Sequence, residues 1–159
     1  MPDAGLYETD FFLWTREQAE ALRARRFGAN EIDFDRVAEE IEDLGSEQRN
    51  AVESYATRIV EHLYKLHGTR NPHPVGHWQR EIEVFREELR KRETASIRRT
   101  VSAQLEAVHL KAARWAQLDF KSDEPDAEID GELRWSWLEI TGVASPDPAF
   151  RTFPLDRTV

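Results

Sequence analysis

The sequence predicts an all-α fold: an irregular antiparallel bundle of about five amphipathic helices with a short C-terminal helix or extended tail. Three observations point there. Apolar residues recur at three- and four-residue steps through most of the 159-residue chain, which lines them up on helix faces. Many of the 7 Gly and 7 Pro sit between those periodic stretches, leaving long uninterrupted segments. A content of 40% hydrophobic and 33% charged residues suits helices that bury one stripe and solvate the other.

The first helix is predicted to start at Thr9 or Asp10, whose side chain accepts a hydrogen bond from an orphan backbone N–H. It runs through Phe11, Trp14, Ala21 and Leu22 to Arg25 and Arg26, with Gly28 as a left-handed cap. Phe12 and Leu13 fall off its main stripe, so more than one side is expected to be covered. Asp33 caps a second helix with Phe34, Val37, Ile41 and Leu44 on one narrow stripe, which Gly45-Ser46 ends or bends. A third helix carries Val52, Tyr55, Ile59, Leu63 and Leu66 and stops at Gly68. Residues 68–74 form a loop, because Pro72 and Pro74 remove donors and restrict their predecessors.

Trp78, Ile82, Phe85 and Leu89 mark one face of a fourth helix. After a polar break at residues 91–94, with Thr94 or Ser96 as cap, a fifth helix carries Ile97, Val101, Leu105, Val108, Ala112 and Trp115. It is expected to end around Leu118 to Phe120. Residues 123–126 read as a turn, and Glu132 to Ile140 as a short last helix with Trp135 and Leu138 on one face and Trp137 on another. The tail after Gly142 holds Pro146, Pro148 and Pro154, and Trp135, Trp137 and Phe150 suggest packing against the body. Residues 1–120 are thus read as the bundle core, and 121–159 as a C-terminal segment packed on it within one domain.

Composition narrows the function classes. A net charge of -9 repels phosphate backbones and disfavours general nucleic-acid binding. With no Cys, disulfides, zinc–thiolate sites, iron–sulfur clusters and thiol catalysis are excluded. The first residues lack the basic and apolar regions of a secretory leader, and no run of about 18 apolar residues exists to span a membrane. A cytoplasmic protein is expected. Walker A, Gly-x-Gly-x-x-Gly and nucleophile-elbow patterns are absent, so no catalytic residue is assigned and no cofactor is implied.

The sharper candidates are histidines. Di-iron bundles need two inward Glu-x-x-His pairs; this chain offers one, Glu106 to His109. A helical wheel sets Glu106 on the solvent side and His109 at the edge of the buried stripe. His62, His77 and His109 are the candidates for a metal site shared by three helices. The plainer reading makes them boundary residues bonded to a carbonyl or carboxylate; His67 and His73 complete the set. The acidic run Glu39, Glu40, Glu42 and Asp43 is a candidate interaction surface, for a cation or a basic partner. Its plainer reading is a solvated face paired with Arg49, Arg80 or Arg86. A basic region, Arg86, Arg90, Lys91, Arg92, Arg98 and Arg99, surrounds the fourth-to-fifth connection without interleaved aromatics for base stacking.

Five stretches carry a family resemblance. They are Tyr7 to Trp14, Ala38 to Gly45 with its Glu-Glu-Ile-Glu-x-Leu-Gly core, His62 to Leu66, Trp78 to Ile82, and Thr94 to Arg98. In this order, over about Tyr7 to Leu118, the chain resembles a bacterial family called domain of unknown function 29. The resemblance implies an all-helical protein, of a kind common in cyanobacteria and proteobacteria, without an established activity or catalytic residues to carry over. Members often end in a short proline-initiated helical tail, from which the Trp135/Trp137 segment departs.

The expectation from sequence leans against an enzyme. It favours a cytoplasmic helical bundle that binds another protein or itself, for instance as a homodimer, with no membrane and with nucleic acid disfavoured. The competing reading is a metal-dependent bundle enzyme using His62, His77 or His109 with a carboxylate. A third is nucleic-acid contact through Arg90 to Arg99.

Overall fold

The structure, a computed structural model, describes residues 4–24 and 33–144. Among them the fold is all-α, with seven helices: α1 (Ala4–Thr9), α2 (Phe11–Ala24), α3 (Phe34–Gly68), α4 (Val75–Arg92), α5 (Ala95–Ala103), α6 (Leu105–Asp123) and α7 (Trp137–Ile140). No helix among them is long and apolar enough to cross a membrane. The predicted helix end at Arg25, Arg26 and Gly28, and the tail with Pro146, Pro148, Phe150 and Pro154, lie outside the described residues. Two compact units are present. One is drawn from Met1–Val52 and Arg92–Ala103, the other from Glu53–Lys91 and Gln104–Val159.

In the first unit, Asp10 stands between α1 and α2 and caps α2, its Oδ1 accepting the Leu13 N–H at 3.1 Å. α1, which the sequence pattern does not predict, sets Tyr7 edge-on against Phe11 and Trp14 at centroid distances of 5.6 and 4.9 Å. α3 runs antiparallel to α2, since Arg23 pairs with Glu42 while Phe12 and Thr15 lie against Gly45. Gly45 neither ends nor bends a helix. A Cβ there would stand 2.1 Å from Thr15 Oγ1, so the missing side chain lets the two backbones approach. The predicted second and third helices are therefore one.

In the N-terminal half of α3 the buried line also differs from prediction. Ala38, Gly45, Val52, Ile59 and Leu66 are buried at seven-residue spacing, whereas Val37 and Leu44 are 40% and 54% exposed. The closest contact is made by small residues, which apolarity alone does not mark.

In the second unit, α4 runs back along the C-terminal part of α3. Lys65 lies over Trp78, His62 meets Glu81, and Tyr55 meets Phe85. α6 runs parallel to α3: Arg58 lies over Trp115, Lys65 pairs with Asp119, and Gly68 abuts Phe120. The predicted fifth helix is broken at Gln104, whose φ of -111° and ψ of 17° interrupt it before α6. The last helix is shorter than predicted: Trp137 and Ile140 point inward from α7, Leu138 is exposed, and buried Trp135 precedes the helix. Ser136 and Glu139 close α7 with a capping box. Arg86 holds its C-terminal end, donating from Nε to the Ile140 carbonyl at 2.9 Å and from Nη2 to that of Glu139 at 2.8 Å.

Candidate functional site

Every residue from Ile59 to Leu66 is buried, so this part of α3 is enclosed on all sides rather than along one stripe. That enclosure takes Glu61, His62 and Lys65 into the interior, where polar groups need partners. Lys65 Nζ donates to Glu61 Oε1 at 3.1 Å, one turn back, and to Asp119 Oδ2 of α6 at 2.9 Å. Glu61 Oε2 also accepts from Arg58 at 3.1 Å, and the Lys65 ammonium lies 5.3 Å from the Trp78 ring centre. The charges thus cross-link α3 to α4 and α6.

Three residues before Lys65 and also facing α4, His62 Nε2 lies 2.5 Å from Glu81 Oε2, and His77 Nε2 lies 3.3 Å from the same oxygen. Burial, aided by the Lys65 charge, pushes the His62 pKa below its ordinary value against the pull of Glu81 and Glu61. At neutral pH the ring is therefore neutral and donates its Nε2 proton to Glu81. Burial pushes Glu81 upward, but the His62 hydrogen bond and the nearby His77 and Lys65 charges hold its pKa down. His62 Nδ1 is sealed from solvent and has no hydrogen-bond partner. A carboxylate-oriented imidazole has the form of a general base, but here the ring nitrogen turned away from the carboxylate faces the packed interior.

The predicted histidines separate. His62 and His77 meet at Glu81, whereas His109 sits with α6 and the C-terminal segment. Its Nδ1–H donates to the Leu105 carbonyl at 2.7 Å, and its Nε2 accepts the Trp135 N–H at 2.9 Å. Both ring nitrogens are used, so neither is open to a metal. The wheel set His109 at the stripe's edge, but it is 1% exposed because Trp135 stacks over it at an interplanar angle of 9°. Burial and the Arg134 charge lower its pKa despite the Leu105 carbonyl. Glu106 points to solvent, as the wheel placed it, and pairs with Arg134 at 2.8 Å. Among the described residues, no group of three or more His, Asp or Glu is arranged to hold a metal ion.

The acidic run divides. Glu42 pairs with Arg23 at 2.7 Å, a partner not anticipated, while Glu39, Glu40 and Asp43 are exposed. Of the arginines expected beside it, Arg49 donates to Asn50 and Arg86 to Glu83 and the α7 carbonyls. Most of the basic region is engaged locally as well. Arg90 donates to the Thr141 carbonyl, Lys91 pairs with Glu87 and Glu88, and Arg98 pairs with Glu93.

Pattern reading missed Glu61 and Lys65 because one apolar stripe assigns them to a solvated face. The available signal was their i, i+4 spacing inside a stretch with apolar residues on every side.

A family model described as Domain of unknown function DUF29 matches residues 6–140. No curated protein matches the chain. Among solved structures, an α-helical protein of unknown function from Rhodospirillum rubrum is similar in fold. It is 22% identical, with a TM-score of 0.74, over 85% of this chain and 88% of that one.

Proposed function

The chain belongs to the DUF29 family, and we propose that it is a non-enzymatic, cytoplasmic protein-binding bundle whose docking face is the N-terminal part of α3. One observation carries this reading: Val37 and Leu44, apolar residues on a helix with a well-defined buried line, stand in solvent among carboxylates. Seven residues apart, they lie within about 20° of each other on the wheel and roughly 100–120° from the Ala38–Gly45 line. Glu40 and Glu47 share their arc, with Glu39 and Asp43 farther round the same exposed surface. Such a face fits a partner that is basic and partly apolar. The hydrogen-bonded polar cluster around Lys65 and His62 supports this reading by serving to hold three helices in register.

The test is affinity capture from the native host with the wild-type chain and with a Val37→Ser/Leu44→Ser variant, alongside light scattering on both. A specific association, with another protein or with itself, is expected for the wild type and lost in the variant. A strictly monomeric chain without a partner, or associations unchanged by the two serines, would refute the assignment.

A further inference from the structure

α6 carries a second apolar stripe in solvent, of opposite sign to the first. Leu110 and Leu118 are 59% and 53% exposed, and Lys111, Arg114 and Lys121 are exposed beside them. At 100° per residue all five fall within an arc of about 100°. The nearest carboxylates on α6 are turned elsewhere: Glu106 to Arg134 and Asp119 to Lys65. A chain of net charge -9 therefore presents a helix face that is locally cationic. On α3, Val37, Glu40, Leu44 and Glu47 span an arc of about 80°. Both stripes are roughly 15 Å long at 1.5 Å per residue, and both alternate two aliphatic residues with charges. They match in length and chemistry and are opposite in sign.

We infer that the partner of the α3 face is the α6 face of a second copy of this chain. This rests on the protein-binding reading above and names the occupant of that face. The two surfaces are unlike, so the contact is heterologous, and association continues beyond a dimer unless its rotation closes a ring. The aliphatic residues lose water on contact, and the opposed charges select the register.

The test uses the full chain and charge exchange. The acid-face variant is Glu40→Lys/Glu47→Lys, and the base-face variant is Arg114→Glu/Lys121→Glu; all four positions are exposed, and circular dichroism checks that each variant stays helical. In low salt at about 100 µM, sedimentation velocity is expected to show wild-type association, weakened by salt as the charges are screened. Each variant alone opposes like charges and should associate at least about tenfold more weakly. An equimolar mixture, and a chain carrying both exchanges, should recover association. A wild type that stays monomeric, exchanges without effect, or a mixture that fails to recover would each overturn the inference. If the wild type is monomeric but still captures a different protein through Val37 and Leu44, the occupant named here is wrong and the protein-binding reading stands.

Discussion

Replacing Asp10, a buried carboxylate, should loosen the first unit. Its carboxylate caps α2 through the Leu13 N–H and also accepts from the start of α5: the Ser96 N–H at 2.8 Å, the Ser96 hydroxyl at 2.5 Å and the Thr94 hydroxyl at 2.9 Å. Losing an N-cap costs about 1 kcal/mol. Losing a bond from a part-buried N–H to a charged acceptor costs a further 1.5–3 kcal/mol or so. The two hydroxyls lie 3.4 Å apart and can turn to each other or to water, so they add little. Asp10→Ala should therefore destabilise by roughly 2.5–4 kcal/mol, and Asp10→Asn, which keeps an acceptor oxygen, by about 1–2 kcal/mol.

The charge makes a second, independent prediction. Burial pushes the Asp10 pKa up, but the Ser96, Leu13 and Thr94 bonds together outweigh it and bring it below the ordinary 3.8. The unfolded chain then takes up a proton that the native state resists. Stability is fully present above 3.8 and drains as pH falls through the lower native value. Urea unfolding by circular dichroism across acid pH, with hydrogen exchange at Leu13 and Ser96, reads both effects. If Asp10→Ala costs under about 1 kcal/mol and keeps the wild-type acid profile, the double-cap argument is wrong.

Three further outcomes are expected. Gly45→Ala should destabilise by about 1–3 kcal/mol instead of gaining the ~1 kcal/mol that alanine offers a helix, and adding Thr15→Ala should recover part of the loss; a more stable single variant in thermal unfolding would contradict the close approach. His109 and His62 both have lowered pKa values, so the stability they contribute is fully present above about 6.5 and declines as pH drops toward their native values. The slope of urea midpoint against pH over that window should shrink in His109→Gln, and an unchanged slope would remove His109 from the account. Arg86→Ala strands the Ile140 and Glu139 carbonyls, so it should cost about 2–4 kcal/mol and speed proteolysis near residues 130–144, which equal cleavage rates would disprove.

The helices were legible where one face is wet and another dry. Ile59, Leu63 and Leu66, Ile82 and Leu89, and Ile97, Val101, Val108 and Ala112 all take the inward positions their spacing assigns. Asp33 and Thr94 cap as read, accepting from the Arg36 and Ile97 N–H groups. The family was legible too, from short motifs matched in order. What failed did so for identifiable reasons. Gly45 has the look of a breaker, and only the partner helix reveals that it is a contact. Gln104 carries no local signal for a helix break. Glu61 and Lys65 look solvated until α4 and α6 close around them, and His109 looked peripheral because the wheel omitted the segment that carries Trp135. Val37 and Leu44 inverted the rule, being apolar and outside. At Gly45, Glu61, Lys65 and His109 a tertiary neighbour overrides the local pattern.

The Asp10 carboxylate has a consequence for how the chain is made. Its partner Ser96 lies 86 residues downstream, and the residues between them include the Glu53–Lys91 part of the other unit. At roughly 5–20 residues per second, a ribosome delivers that partner about 4–17 s after Asp10 itself. For that interval the nascent α2 and the start of α3 lack the helix that completes their unit, with Phe11, Phe12 and Trp14 already synthesised. The interrupted order of the first unit thus delays its assembly until α5 has been made, and gives chaperones a window set by the length of the insertion.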